Sequence, residues 1–147
     1  MFHGAHEVKI DAKGRFAFPA RYRDELNVVA SGELVVTVDY TRDNYLLVYP
    51  QPKWEMVQKQ LLDLPNDDEL RMVQRRMLGC AQDVTLDGQG RISITSVLRK
   101  EASLGNQAVL IGQGERFELW DEATWAERSA SFKLSDEAKS KLSSLRL

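Results

Sequence analysis

Asp11-Ala12-Lys13-Gly14-Arg15 returns as Asp87-Gly88-Gln89-Gly90-Arg91, a D-x-x-G-R pentad 76 positions further on. The flanks repeat too. Glu7-Val8-Lys9-Ile10 leads into the first copy and Asp83-Val84-Thr85-Leu86 into the second; Phe16-Ala17-Phe18 follows one and Ile92-Ser93-Ile94 the other. A duplicated unit of this size sets the architecture, so it is read before any single residue.

Around each pentad the apolar residues alternate with polar ones, the period of half-buried strands. In the first copy Val8 and Ile10 alternate with Glu7 and Lys9, and Phe16 and Phe18 with Arg15 and Ala17. The short connection Ala12-Lys13-Gly14 ends on glycine, which takes up positive φ without steric cost, so a tight hairpin is predicted. Pro19 suits the first turn of a short helix with Tyr22 and Leu26 on one face. A second strand pair follows, Leu34–Val38 and Tyr45–Tyr49, joined by the polar turn Thr41–Asn44. The second copy predicts strands at 83–86 and 91–94, a short helix near 96–103, and strands at 108–111 and 117–120. Trp54 lies six residues after Val48, and Trp125 six after Leu119. The repeat is β-hairpin, short helix, β-hairpin, helix.

Between the copies, residues 53–80 read as helical. Asn66-Asp67-Asp68-Glu69 carries a capping residue, acids for the first turn and a glutamate placed to reach back. Leu70, Val73, Met77 and Leu78 make one apolar stripe, and Gly79 suits the stop. Asp121 can cap a helix to about Ser131, and Ser135-Asp136-Glu137 a last one. The predicted organisation is a first repeat over 5–53, a helical connector over 54–81, a second repeat over 82–125 and a helical tail over 126–147. The fold class is α+β, mainly β.

A chain of 147 residues with 43% hydrophobic and 29% charged content is ordinary for a globular domain, or for two small units sharing a core. It holds no apolar run of membrane-spanning length and no basic-then-apolar leader, which points to the cytoplasm. One cysteine, Cys80, forms no internal disulfide and fits a reducing compartment. With only His3 and His6 beside it, no metal site is expected. His3, His6 and Asp11 do not make an acid–base group, since neighbouring strand positions face opposite ways. No nucleophile elbow, P-loop or dinucleotide fingerprint is present. Neither catalysis nor a cofactor, small-molecule substrate or membrane partner is expected.

The net charge of −2 speaks against the simplest nucleic-acid protein, but local clustering decides what a phosphate backbone feels. Residues 9–23 carry Lys9, Lys13, Arg15, Arg21 and Arg23, whereas the second pentad has Gln89 and the acids Asp83 and Asp87. In one reading the pentads are structural turns: Asp11 and Asp87 accept backbone N–H groups, Gly14 and Gly90 supply the unusual φ, and Arg15 and Arg91 pair with the aspartates. In the other, the first loop also presents Lys13 and Arg15 to DNA, with Lys9, Arg21 and Arg23 in support. A β-ribbon fits the major groove, and arginine grips guanine O6 and N7 with two hydrogen bonds.

Met1-Phe2, Gly4-Ala5, the first pentad, Pro19-Ala20-Arg21-Tyr22-Arg23, Leu46–Pro50, Arg75-Arg76 before Leu78-Gly79, the second pentad, and Phe117–Trp120 with Trp125 together resemble the MraZ family over about residues 1–128. The resemblance implies a swapped-hairpin barrel of the AbrB and SpoVT type, with two half-barrel repeats fused in one chain. It implies a transcriptional regulator of the bacterial division and cell-wall gene cluster, acting as a homo-oligomeric ring on short, regularly spaced direct repeats in a promoter, usually its own; a repressor located on the nucleoid is expected from this, with activation left open. The family's DNA-contact loop falls on Lys13 and Arg15. Family members often carry arginine at position 3, where this chain has His3, a poor phosphate partner when neutral. AbrB-type barrels also serve as protein-interaction modules such as antitoxins, or as ring scaffolds. The tail, with Lys133, Lys139, Lys141 and Arg146 against Asp136 and Glu137, lacks the acidity of a toxin-wrapping segment.

Overall fold

Among the described residues, eight strands and six helices alternate in two matching series. The first comprises β1 (Phe2–Lys9), β2 (Arg15–Ala17), α1 (Ala20–Ala30), β3 (Glu33–Val38), β4 (Tyr45–Pro50) and α2 (Gln51–Leu62), followed by α3 (Asp68–Gly79). The second comprises β5 (Gln82–Thr85), β6 (Arg91–Ser93), α4 (Ser96–Glu101), β7 (Gln107–Gly114), β8 (Phe117–Asp121) and α5 (Glu122–Ser131), with α6 (Asp136–Leu142) after it. The computed structural model describes residues 1–41 and 43–147; Arg42, in the predicted turn Thr41–Asn44, lies outside the described residues.

The strands pair across the repeats. Six form one antiparallel sheet in the order β1-β7-β8-β4-β3-β5, and β2 and β6 form a separate two-stranded ribbon. Each pairing has a counterpart under exchange of the repeats: Val8 faces Ala108, as Val84 faces Leu34. The ribbon maps onto itself, with Phe16 opposite Ile92 at its centre. So does the β4–β8 pair, where Leu46 faces Leu119 and Val48 faces Phe117. β2 touches β1 and β6 touches β5, so the ribbon bridges the two edges of the sheet. The result is an α+β fold, mainly antiparallel β, in which two half-barrel repeats interleave.

This pairing corrects the hairpin predicted at each pentad. Asp11 N–H bonds Arg15 O at 2.9 Å, and Asp87 N–H bonds Arg91 O at 2.9 Å, but there the ladder stops. β1 instead pairs with β7 over eight residues, from Phe2↔Gly114 to Lys9↔Gln107. A three-residue β2 cannot match that many backbone hydrogen bonds, so the chain turns the corner and crosses to the other repeat. The same partner explains why β1 begins at Phe2 and not near Glu7, and why β7 runs on to Gly114.

Inside the barrel, Val8, Ile10, Phe16, Phe18, Leu34, Val36, Leu110 and Leu119 form one buried cluster drawn from both repeats. Phe2, Phe18 and Tyr22 surround Phe117, with ring centroids 4.3, 5.3 and 5.0 Å from it. Rings packed at such distances contribute about 0.5–1.5 kcal/mol per pair beyond their burial. The Tyr22 hydroxyl is not left bare: it donates to His3 O and lies 3.0 Å from His6 Nε2. His6 is thereby tied to the aromatic cluster, away from Asp11.

Helices α2 and α3 cover the outer face of β3 and β4. Trp54, Leu61 and Met77 bury against Val35, Leu47 and Tyr49, with Val73 beside them, which accounts for the apolar stripe read in the sequence. The cap of α3 is Asp67, one residue later than the predicted Asn66; its carboxylate accepts the Glu69 and Leu70 N–H groups. α1 runs for 11 residues, longer than the short helix predicted, and Pro19 is its cap and not part of its first turn. Asp121 caps α5 as predicted, accepting the Ala123 N–H. Trp125 packs edge-on against Trp120. Cys80 is half-buried against the barrel core. Among the described residues no helix is long and apolar enough to cross a membrane.

Candidate nucleic-acid interface

The two pentads fold into loops with the same hydrogen-bond pattern, each organised by its aspartate. Asp11 Oδ1 accepts the Lys13 and Arg15 N–H groups at 2.9 Å each, and Oδ2 accepts Arg15 Nε at 2.8 Å. Asp87 treats Gln89 and Arg91 in the same way, at 2.9 Å throughout. The glycines close the turns with φ of +81° at Gly14 and +73° at Gly90. Every feature of the turn reading is therefore present.

These bonds also hold the aspartates charged. The Arg15 backbone N–H, with its guanidinium and the Lys13 N–H, keeps Asp11 below the ordinary 3.8, and the Arg91 and Gln89 groups do the same for Asp87. A lowered carboxyl pKa stabilises the fold above pH 3.8, and that contribution is lost as pH falls through the lowered value. Both carboxyl carbons are expected to titrate below 3.8 by NMR, with the Lys13, Arg15, Gln89 and Arg91 amides shifting at the same midpoints. A midpoint at or above 3.8 for either aspartate would contradict these hydrogen bonds.

What the loops present differs. Arg15 is anchored through Nε, and among the described residues its two Nη groups take no hydrogen bond. Lys13 is exposed, and among the described residues its ammonium has no protein partner. Lys9, exposed at the end of β1, adds a third cation two residues before the loop. The second loop offers Arg91 and, in place of Lys13, the neutral Gln89; Asp83 and Asp87 line a shallow cavity shared by Arg91 and Arg15, and Glu33 is held to Thr85 at 3.0 Å.

The cationic stretch of residues 9–23 does not form one patch. β2 carries the chain from the first loop across the ribbon, so α1 begins beside the second. Arg23 is half-buried there and donates from Nη1 to Gln89 O at 3.0 Å. Arg21 donates to His3 O at 3.1 Å and lies 4.8 Å above the Tyr22 ring. His3 is six residues from Lys9 along β1, about 20 Å at the rise of a strand. The crossover that moves Arg23 away brings a replacement. Arg99, on α4, lies against the first loop: a Cβ built on Gly14 would sit 3.1 Å from its Nε. Arg99 stands 76 positions after Arg23, the spacing of the pentads themselves, and that spacing is the signal that could have found it.

The geometry agrees with what this chain is similar to. A family model described as "MraZ protein, putative antitoxin-like" matches twice, over residues 1–76 and 77–146. A protein of Thioalkalivibrio sulfidiphilus named Transcriptional regulator MraZ is 50% identical over 139 residues, covering 93% of this chain and 91% of that one. Its namesake in Halorhodospira halophila is 45% identical over 133 residues, with coverage of 90% and 87%. The one in Nitrosomonas europaea is 48% identical over 126 residues, with coverage of 85% and 84%. With both pentads inside these matches and one repeat under each copy of the family model, the chain belongs to the MraZ family.

Proposed function

We propose that this protein is a sequence-specific DNA-binding transcriptional regulator, a repressor that acts on the nucleoid in the cytoplasm. It binds short direct repeats in its own promoter, ahead of the division and cell-wall genes, as a homo-oligomeric ring. The observation that carries this reading is the first loop. A hydrogen-bonded turn holds Arg15 by Nε, and among the described residues neither its Nη pair nor the exposed Lys13 ammonium has a partner. A guanidinium already fixed in orientation loses little freedom on gripping guanine O6 and N7. Lys13 supplies the adjacent phosphate contact. The names of the relatives, all transcriptional regulators, fit the same chemistry.

One such loop on a protomer of net charge −2 binds DNA weakly. A ring converts each later contact into an intramolecular one, raising avidity by about 10²–10⁴-fold when the DNA repeats match the loop spacing. Repression follows where the occupied repeats overlap the polymerase site. The test is a footprint on the DNA upstream of its own gene, at stated salt, with the mass of the complex measured by ultracentrifugation. Evenly spaced protection by an oligomer is expected. A monomer that protects the same bases, or an oligomer without sequence preference, would refute the reading.

Lys13→Ala is expected to weaken binding to all sequences alike and to flatten the salt dependence, because each lost phosphate contact lowers the slope of log K against log[salt] by about 0.9. A wild-type slope in this variant would remove Lys13 from the phosphate contacts.

A further inference from the structure

The two arginines beneath the loops occupy equivalent positions but not equivalent circumstances. Arg23 lies against Gly90, and its Nη1 is bonded to the Gln89 carbonyl of the second loop. Arg99 lies against Gly14, with a Cβ there 3.1 Å from its Nε and 3.2 Å from its Cζ. The matching acceptor would be the Lys13 carbonyl, yet Arg99 makes no bond to it. Among the described residues the Arg99 guanidinium has neither a carboxylate within ion-pair distance nor a hydrogen-bond acceptor. Its Nε is buried without a partner, as is Arg23 Nε. What separates the two arginines is therefore not Nε but Nη, bonded to a carbonyl in Arg23 and without an acceptor among the described residues in Arg99, where it stands beside the loop that carries Lys13 and Arg15.

We infer that Arg99 is a DNA-phosphate contact of the first loop, delivered to it by the second repeat. The inference rests on the DNA-binding reading above and extends it, since the loop becomes a composite of both repeats. Lys13 and Arg15 come from one copy of the pentad and the third cation from the helix of the other. The backbone chemistry favours it. Arginine forks onto phosphate oxygens, and a guanidinium packed under a tight glycine turn is already oriented. The Gln89 bond already occupies the Arg23 guanidinium, so the swap that builds the barrel also makes the loops unlike.

The experiment compares wild type, Arg99→Gln, Arg99→Ala, Arg99→Lys and Arg23→Ala on two duplexes, one from upstream of the gene and a scrambled one of equal length, across a salt series. Loss of the Arg99 charge is expected to weaken binding to both duplexes by about tenfold, as for a charge-assisted contact. The salt slope should fall by about 0.9 for each protomer engaged. Arg99→Lys should keep the wild-type slope, and so should Arg23→Ala. A wild-type slope in Arg99→Gln would overturn the inference. Unfolding of both uncharged variants, followed by circular dichroism, would make Arg99 a structural buttress and overturn it equally. Lys13→Ala and Arg15→Ala run in parallel. If they too are silent, it is the DNA-binding reading that fails; if they weaken binding while Arg99→Gln does not, only the assignment of Arg99 fails.

Discussion

Gly14→Ala is expected to cost about 3 kcal/mol or more, a large part of the roughly 5–15 kcal/mol that holds a domain of this size together. Two effects add. At φ +81° an alanine is strained by about 1–2 kcal/mol. Its methyl would also lie 2.2 Å from the Ile94 carbonyl oxygen, which is backbone. That oxygen cannot retreat alone, because the Ile94 N–H is bonded to Gly14 O at 2.8 Å and the preceding Ser93 pairs with Arg15 in the ribbon. Gly90→Ala is the contrast. Its φ of +73° imposes similar strain, but the methyl meets Arg23 Cδ at 1.7 Å, the middle of a flexible side chain that can swing aside. It should cost about 1–2 kcal/mol, together with the Arg23–Gln89 bond. Urea unfolding of both variants measures the difference, and equal losses would contradict the account of Gly14 as a backbone contact point.

Arg15→Ala is expected to reduce specific binding at least 100-fold while leaving the fold and the assembly as they are. One bidentate grip on guanine discriminates by about 1–3 kcal/mol, and every loop engaged by a ring loses its own grip. Stability should change by less than about 1 kcal/mol, because the Arg15–Asp11 pair stands in solvent, with side chains 34% and 41% exposed. The turn keeps four bonds to its backbone without it: Asp11 Oδ1 accepts two amides, Gly14 N–H donates to Asp11 O and Asp11 N–H to Arg15 O, each at 2.9 Å. Arg91→Ala removes the matching pair from the other loop and serves as the control, with sequence preference retained. Fluorescence anisotropy with the upstream duplex and a scrambled duplex reads both variants. An Arg15→Ala protein that still prefers the upstream sequence would place the reading head elsewhere.

Much of the fold was legible because its signals are local. Period-2 alternation at Val8/Ile10 and Phe16/Phe18, the glycine after each aspartate, and Asp121 ahead of Glu122 each act within a few residues. The stripe Leu70/Val73/Met77 is readable for the same reason. What failed was non-local. Whether β1 pairs with β2 or with β7 depends on competition between strands far apart in the chain, and nothing in Glu7–Ala17 records that β7 offers eight partners. The cap of α3 shifted from Asn66 to Asp67 through a choice between adjacent residues of similar capping strength. The candidate site split along the same line: Lys13 and Arg15 stayed together, Arg23 went to the other loop, and Arg99 arrived from α4.

The chain's own repetition determined that there are two like units, each with an aspartate-pinned turn that holds an arginine, because a carboxylate accepting amides two and four residues on needs no help from distant parts. Only the tertiary structure decided which strand lies beside which, and hence which cation stands under which loop, because an unpaired strand edge takes whichever partner satisfies the most backbone groups, and here that partner belongs to the other repeat.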